Sequence, residues 1–208
     1  MTRFARTLAV ALLAGTVLLG AGAAVHPMLS GDAAAQLHLI ATTPYWRAIH
    51  LMMLAGSALI VAGVWVRLLD RTGPAAAAAI ALVALGFALN ALNIAYMAGA
   101  GTHMAALFDA GRSEMSAVFE ATHPIGLMAA RFGNFIVALG AVALGWAEWQ
   151  DATRPRWLAA LAWVAAAGGF VGVIFFNEAS PLTLAAVALL SGWQVATGVR
   201  ALGIGPRA

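Results

Sequence analysis

The sequence predicts an all-α polytopic membrane protein, a bundle of six transmembrane helices in one domain over 1–208, and three observations carry that prediction. Hydrophobic residues make up 63% of the 208 residues and charged residues 9%, against about half and about a quarter in soluble domains. Apolar runs recur at close to the ~20 residues needed to cross the hydrocarbon core. Polar residues collect between those runs instead of alternating along them, so such a chain takes lipid as its solvent.

The first element, over about 7–25, follows Arg3 and Arg6 and runs apolar from Leu8 to Val25. Its small residues Ala21, Gly22, Ala23 and Ala24 resemble a signal-peptidase site, so two readings compete. A cleaved signal leaves five spans. A retained helix leaves six, and retention is the expectation, because the run meets the lower length limit for a span. A loop with His26, Pro27, Met28, Gly31 and Asp32 and a short amphipathic piece through His38 lead to the second helix, about 46–68. That helix opens on Tyr45, Trp46 and Arg47 and ends at Arg67, Asp70 and Arg71, with Thr72-Gly73-Pro74 as the turn.

The third helix, about 75–98, is apolar but for Asn90 and Asn93, which share a face with Met97 by their spacing. The segment from Gly99 to Pro124 holds His103, Asp109, Arg112, Glu114, Glu120 and His123, with a short interfacial helix expected over 113–121. Helices over about 125–146, 157–176 and 182–201 complete the bundle. Pro124, Pro155 and Pro181 stand just before or at helix starts, where a missing amide proton costs little. A faint repeat at an offset of 80 relates Ala41-Thr42-Thr43-Pro44 to Ala121-Thr122-His123-Pro124, and Gly86-Phe87 resembles Gly169-Phe170, which suggests duplicated hairpins.

Orientation follows from the arginines, since all 11 basic residues are Arg. With a cytoplasmic N-terminus, Arg3, Arg6, Arg67, Arg71, Arg154, Arg156, Arg200 and Arg207 fall inside, and only Arg47, Arg112 and Arg131 fall outside or in the outer leaflet. That asymmetry predicts that both termini are cytoplasmic, and the expected location is a bacterial inner or cytoplasmic membrane. Trp65, Trp146, Trp149 and Trp157 then line the inner interface as an aromatic belt. The arginines form no patch interleaved with aromatics, so nucleic acid is not an expected partner; lipid and other membrane subunits are. The absence of Cys excludes a disulfide framework, a thiolate metal site and a cysteine nucleophile. Phosphate-binding loops, His-Glu-x-x-His and Gly-x-Ser-x-Gly motifs are absent from the sequence, and no carboxylate falls in mid-span, so a subunit without independent catalysis is expected.

On this topology all five His and the seven Met after the initiator fall in the outer half. Imidazole ligates haem iron from within a helical bundle, imidazole with thioether suits copper, and histidine titrates near neutrality. The cofactor-binding candidates are His50, His123, Arg131, Met52 and His103, with His50 and His123 as metal ligands. Haem b is the expected cofactor and copper the alternative. His26 and His38 read as solvent-facing loop residues.

Glycines at seven-residue spacing, Gly126, Gly133 and Gly140 in one helix and Gly56 and Gly63 in another, form smooth seams that pack helices closely or admit a flat ring. His123 lies about 60° from its seam, Met52 within about 40° and His50 about 120° away, which turns His50 toward the lipid boundary. Arg131, about 9 Å inside its helix, would pair with Glu120 or Glu178, share hydrogen bonds with Asn90, Asn93 and Asn134, bind a ligand anion or snorkel to the interface. The expected function is a membrane subunit that holds one b-type haem for electron transfer or positions a quinol in a larger complex. A non-catalytic assembly subunit packed against proteins or pigments is the alternative, and a copper-handling or small-solute transport protein is the third reading.

Overall fold

The computed structural model describes residues 2–69, 73–175 and 181–203. Helix α1 spans Arg3–Val25, with Thr2 Oγ1 accepting the Ala5 amide proton at 3.2 Å as its N-cap. A short helix α2, Ala33–Thr42, is capped in the same way by Asp32. Helix α3, Trp46–Gly63, tightens into a 3-10 turn over Val64–Leu69. Helix α4, Pro74–Tyr96, carries proline in its first turn, where the missing donor is harmless. It passes through a π turn, Met97–Gly101, into α5, Thr102–Asp109. Helices α6, Met115–Gln150, α7, Arg156–Phe175, and α8, Pro181–Ala201, complete the chain.

The protein is an all-α polytopic membrane bundle, and five of the described helical stretches are long and apolar enough to cross a bilayer. Helices α1, α3, α4, α6, α7 and α8 pack in that order, and α8 closes the ring on α1. Leu12, Ile60, Ile80, Leu144, Leu158 and Trp193 fill the middle and are fully buried. The outer face of α6 shows the complementary pattern: Ile125, Met128, Phe132, Leu139, Val142 and Trp146 are all exposed, mostly at three- to four-residue intervals. A stripe of that width is the lipid-facing side of a membrane helix.

The glycine seams are helix contacts. A Cβ on Gly133 would stand 2.7 Å from the Gly86 carbonyl oxygen, and one on Gly86 2.6 Å from that of Gly133, so α4 and α6 touch backbone to backbone. Gly56 and Gly63 meet α1 at Gly15, Leu19 and Leu12 in the same way. Neighbouring helices therefore occupy the surfaces on which a flat ring would lie.

Two sequence expectations are revised. The short helix at 113–121 and the span expected to begin near 125 are one helix, with Pro124 in its interior. The cost there is one amide donor to the Glu120 carbonyl, against apolar burial on both sides, including Phe119 at 1% exposure. The faint repeat fails locally for the same reason, since Pro44 precedes a helix and Pro124 lies inside one. At 36 residues, α6 is about 54 Å long and outreaches the ~30 Å hydrocarbon core. Of the turn expected at Thr72-Gly73-Pro74, Gly73 is the N-cap and Pro74 the first residue of α4, while Thr72, with Asp70 and Arg71 before it, lies outside the described residues.

At one end of the bundle α2, α5 and the first turns of α6 form a cap. Leu37, Ile40, Trp46, Met97, Met104 and Phe119 make a second apolar cluster there, separate from the central core. The opposite end holds the start of α1 and the end of α8.

A histidine-lined cavity beneath the cap

A cavity of about 370 Å³ opens between the cap and the ring core. Three histidines line it, His26 just past α1, His50 on α3 and His123 on α6. Thioethers of Met28, Met53 and Met97 share the wall with Asn93, Gln36 and the aliphatic residues Leu29, Ile94 and Leu127. The described lining contains no charged side chain. Its volume lies at the low end of small-molecule sites, which run roughly 300–1,000 Å³.

His50 is fixed by its own helix. It is 3% exposed, and its Nδ1 lies 2.8 Å from the Trp46 carbonyl oxygen one turn back. A carbonyl only accepts, so Nδ1 carries the proton and Nε2 presents a lone pair. That lone pair faces His26, whose Nε2 stands 3.2 Å away. Trp46, 1% exposed, packs on both rings, with centroid separations of 4.6 Å to His50 and 4.8 Å to His26. Burial, followed by the neighbouring His50 imidazole, pushes the pKa of His26 down to about 4, while the carbonyls of Pro27 and of His26 itself pull the other way. The ring is neutral at pH 7.

His123 enters from the far wall, stacked on Phe119 at 4.5 Å and parallel to Tyr96 at 6.3 Å between centroids. The Tyr96 hydroxyl shares a 2.7 Å hydrogen bond with Thr122. Met97 is 3% exposed and begins the π turn, which adds a residue to the helical circuit and re-aims the side chains beyond it, a distortion common at functional positions. The buried oxygens Gln36 Oε1 and Asn93 Oδ1 make no hydrogen bond within the protein, and both residues line the cavity.

The structure brings together two of the residues singled out from sequence, His50 and His123, and separates the others from them. His103 is exposed on α5, Met52 is half-buried beside Gly22, and Arg131 is half-buried on α6; none of the three lines the cavity. With α6 beginning at Met115, Arg131 lies about 24 Å from the helix start rather than about 9 Å. Glu178 lies outside the described residues. Asn90 Nδ2 donates to Asn134 Oδ1 at 3.0 Å and to the Gly86 carbonyl at 3.2 Å, so these two asparagines bridge α4 and α6. His26, expected in solvent, is half-buried and paired, and His50 turns into the cavity instead of toward lipid. The clue to His26 in sequence was the adjacent triplet with Pro27 and Met28; nothing marked Gln36.

A second polar cluster lies at the opposite end. Glu148 is fully buried and accepts from Arg154 Nε at 2.6 Å and Nη2 at 2.9 Å, while Arg154 Nη2 also reaches Thr197 Oγ1 at 3.3 Å. It ties the end of α6 and the adjoining turn to α8. Further in, Thr16 Oγ1 donates to Gln194 Oε1 at 2.9 Å and joins α1 to α8.

The fold and this cavity define a class, a polytopic membrane protein with an uncharged, imidazole- and thioether-lined chamber at one end. No protein-family model matches the chain, and comparison with curated proteins and with solved structures returns no match either.

Proposed function

We propose that the protein is a membrane subunit that binds a redox-active ligand in the cavity beneath the cap and serves electron transfer or quinol positioning. The observation that carries this reading is the convergence of His26 and His50, with Nε2 atoms 3.2 Å apart, on a chamber that also holds His123 and three thioethers. When the hydrogen bond between the two imidazoles opens, His50 Nε2 supplies a lone pair for a metal and His26 an N–H for a quinone oxygen. The excess of arginine at the opposite end supports assigning the cap to the outer side of the membrane.

A small ligand is favoured over a tetrapyrrole by two features: the 370 Å³ volume and the closure of the glycine seams by helix packing. A b-type haem on one imidazole is the larger form of the same reading. The test is a census of bound groups on detergent-purified protein: a reduced-minus-oxidised visible spectrum, iron and copper by elemental analysis, and organic extraction for quinones. One redox-active group per chain is expected. A folded protein that carries none of them and binds none on reconstitution overturns the reading in favour of a purely structural subunit.

A further inference from the structure

The ligand set of the cavity discriminates among redox groups. An ion held by two imidazole nitrogens at about 2.0–2.1 Å in tetrahedral geometry sets those nitrogens about 3.3 Å apart. His26 Nε2 and His50 Nε2 stand 3.2 Å apart, so an ion between them needs almost no movement of the two nitrogens; it takes the place of the His26 Nε2 proton, which is released or shifts to Nδ1. The Trp46 carbonyl bond to His50 Nδ1 is the outer-shell contact that metal-bound histidines usually make, fixing the tautomer with Nε2 free to ligate.

The remaining donors decide which ion. Among the described residues no three of His, Cys, Asp and Glu gather as a metal group, so a divalent site with anionic ligands is absent there. The other soft donors among the residues that line the cavity are Met28, Met53 and Met97, whose thioethers select cuprous copper over zinc, magnesium or calcium. Electrostatics agrees, because the desolvation cost of a buried ion rises with the square of its charge and a dication costs about four times a monocation. A chamber with no charged side chain tolerates the monocation. Trp46, packed on both rings, adds a π face to the same position.

Building on the redox-ligand reading, we infer that His26 Nε2 and His50 Nε2, completed by methionine thioether from the cavity wall, form a cuprous-ion site. The chain binds one Cu(I) there and rejects zinc.

The experiment is an anaerobic titration of the purified full chain with Cu(I) against a chromogenic chelator, with Ag(I) as the redox-inert analogue and Zn(II) as control. X-ray absorption is recorded on the copper-loaded sample. One Cu(I) or Ag(I) per chain, little Zn(II), and a coordination shell containing both imidazole and sulfur are expected. Met53→Leu and Met97→Leu keep the side-chain volume; together they are expected to weaken Cu(I) at least tenfold with the helical content unchanged. His26→Ala is expected to abolish stoichiometric binding. A nitrogen- and oxygen-only shell, binding indifferent to His26→Ala, or zinc binding as tight as copper overturns the inference. If Cu(I) fails to bind while the protein retains haem or quinone on the same histidines, copper is wrong and the redox-ligand reading survives. If nothing binds, both fall.

Discussion

Replacing Arg154 with Met tests the polar cluster at the uncapped end. Glu148 has no exposed surface and its two oxygens accept from Arg154 at 2.6 and 2.9 Å. The substitution keeps an apolar stem of similar length and takes both of these contacts from a carboxylate in a site closed to solvent. Breaking a buried pair from one side costs about 3–5 kcal/mol, because the surviving charge keeps its desolvation penalty and loses the compensation that the guanidinium supplied. Thr197 Oγ1 also loses its contact with Arg154 Nη2, a smaller term of about 1 kcal/mol. Removing both charges with Glu148→Leu and Arg154→Met removes the penalty as well, so the double variant is expected within about 1–2 kcal/mol of the parent. Reversible unfolding in mixed micelles, monitored by circular dichroism, gives the three free energies. A loss below about 1 kcal/mol for Arg154→Met, or a double variant as unstable as the single one, refutes the claim that this pair is desolvated and mutually dependent.

Gly133→Val places a branched side chain where even a Cβ meets the Gly86 carbonyl oxygen at 2.7 Å. Overpacking of about 1–3 kcal/mol or more is expected, read as a lower unfolding midpoint, whereas the same change at Gly20, with open space around it, is expected to cost under about 1 kcal/mol. Asn90→Leu removes the bridge to Asn134 at 3.0 Å and should cost about 0.6–1.7 kcal/mol in the same assay, the range for interhelical hydrogen bonds in membranes; no measurable loss would show that the bridge is neutral. The absence of cysteine allows background-free labelling: Met28→Cys is expected to react with an impermeant maleimide on intact cells and Thr153→Cys only after lysis, and the reverse pattern would invert the proposed orientation.

The membrane bundle was legible because lipid imposes a single demand, a long apolar stretch with its backbone bonds satisfied internally, and the runs at α1, α3, α4 and α7 announce themselves. The start of α6 was obscured by Pro124, a residue that more often opens a helix than interrupts one. Its local cost was outweighed by the burial of Phe119 in the cap, a tertiary contact that no local pattern displays. Glu148 lies two residues beyond the expected helix end, and its burial and its partner six residues on depend on α6 continuing to Gln150. His50 was legible as a histidine near a helix start. Its direction was not, since helical spacing relates it only to the glycines of its own helix, and the pairing with His26 depends on how α1 delivers the loop after it. Met97 was placed on the right face with Asn93, and both line the cavity.

The most direct test of the cavity assignment is the ratio of bound redox group to chain in four parallel preparations: the parent, His26→Ala, His50→Ala and His103→Ala. His103 is exposed on α5 and away from the lining. The parent and His103→Ala are expected to carry the ligand at equal stoichiometry, and both His26→Ala and His50→Ala to lose it while remaining folded by circular dichroism. Retention in the two cavity variants, or loss in His103→Ala alone, would place the ligand elsewhere and contradict the account.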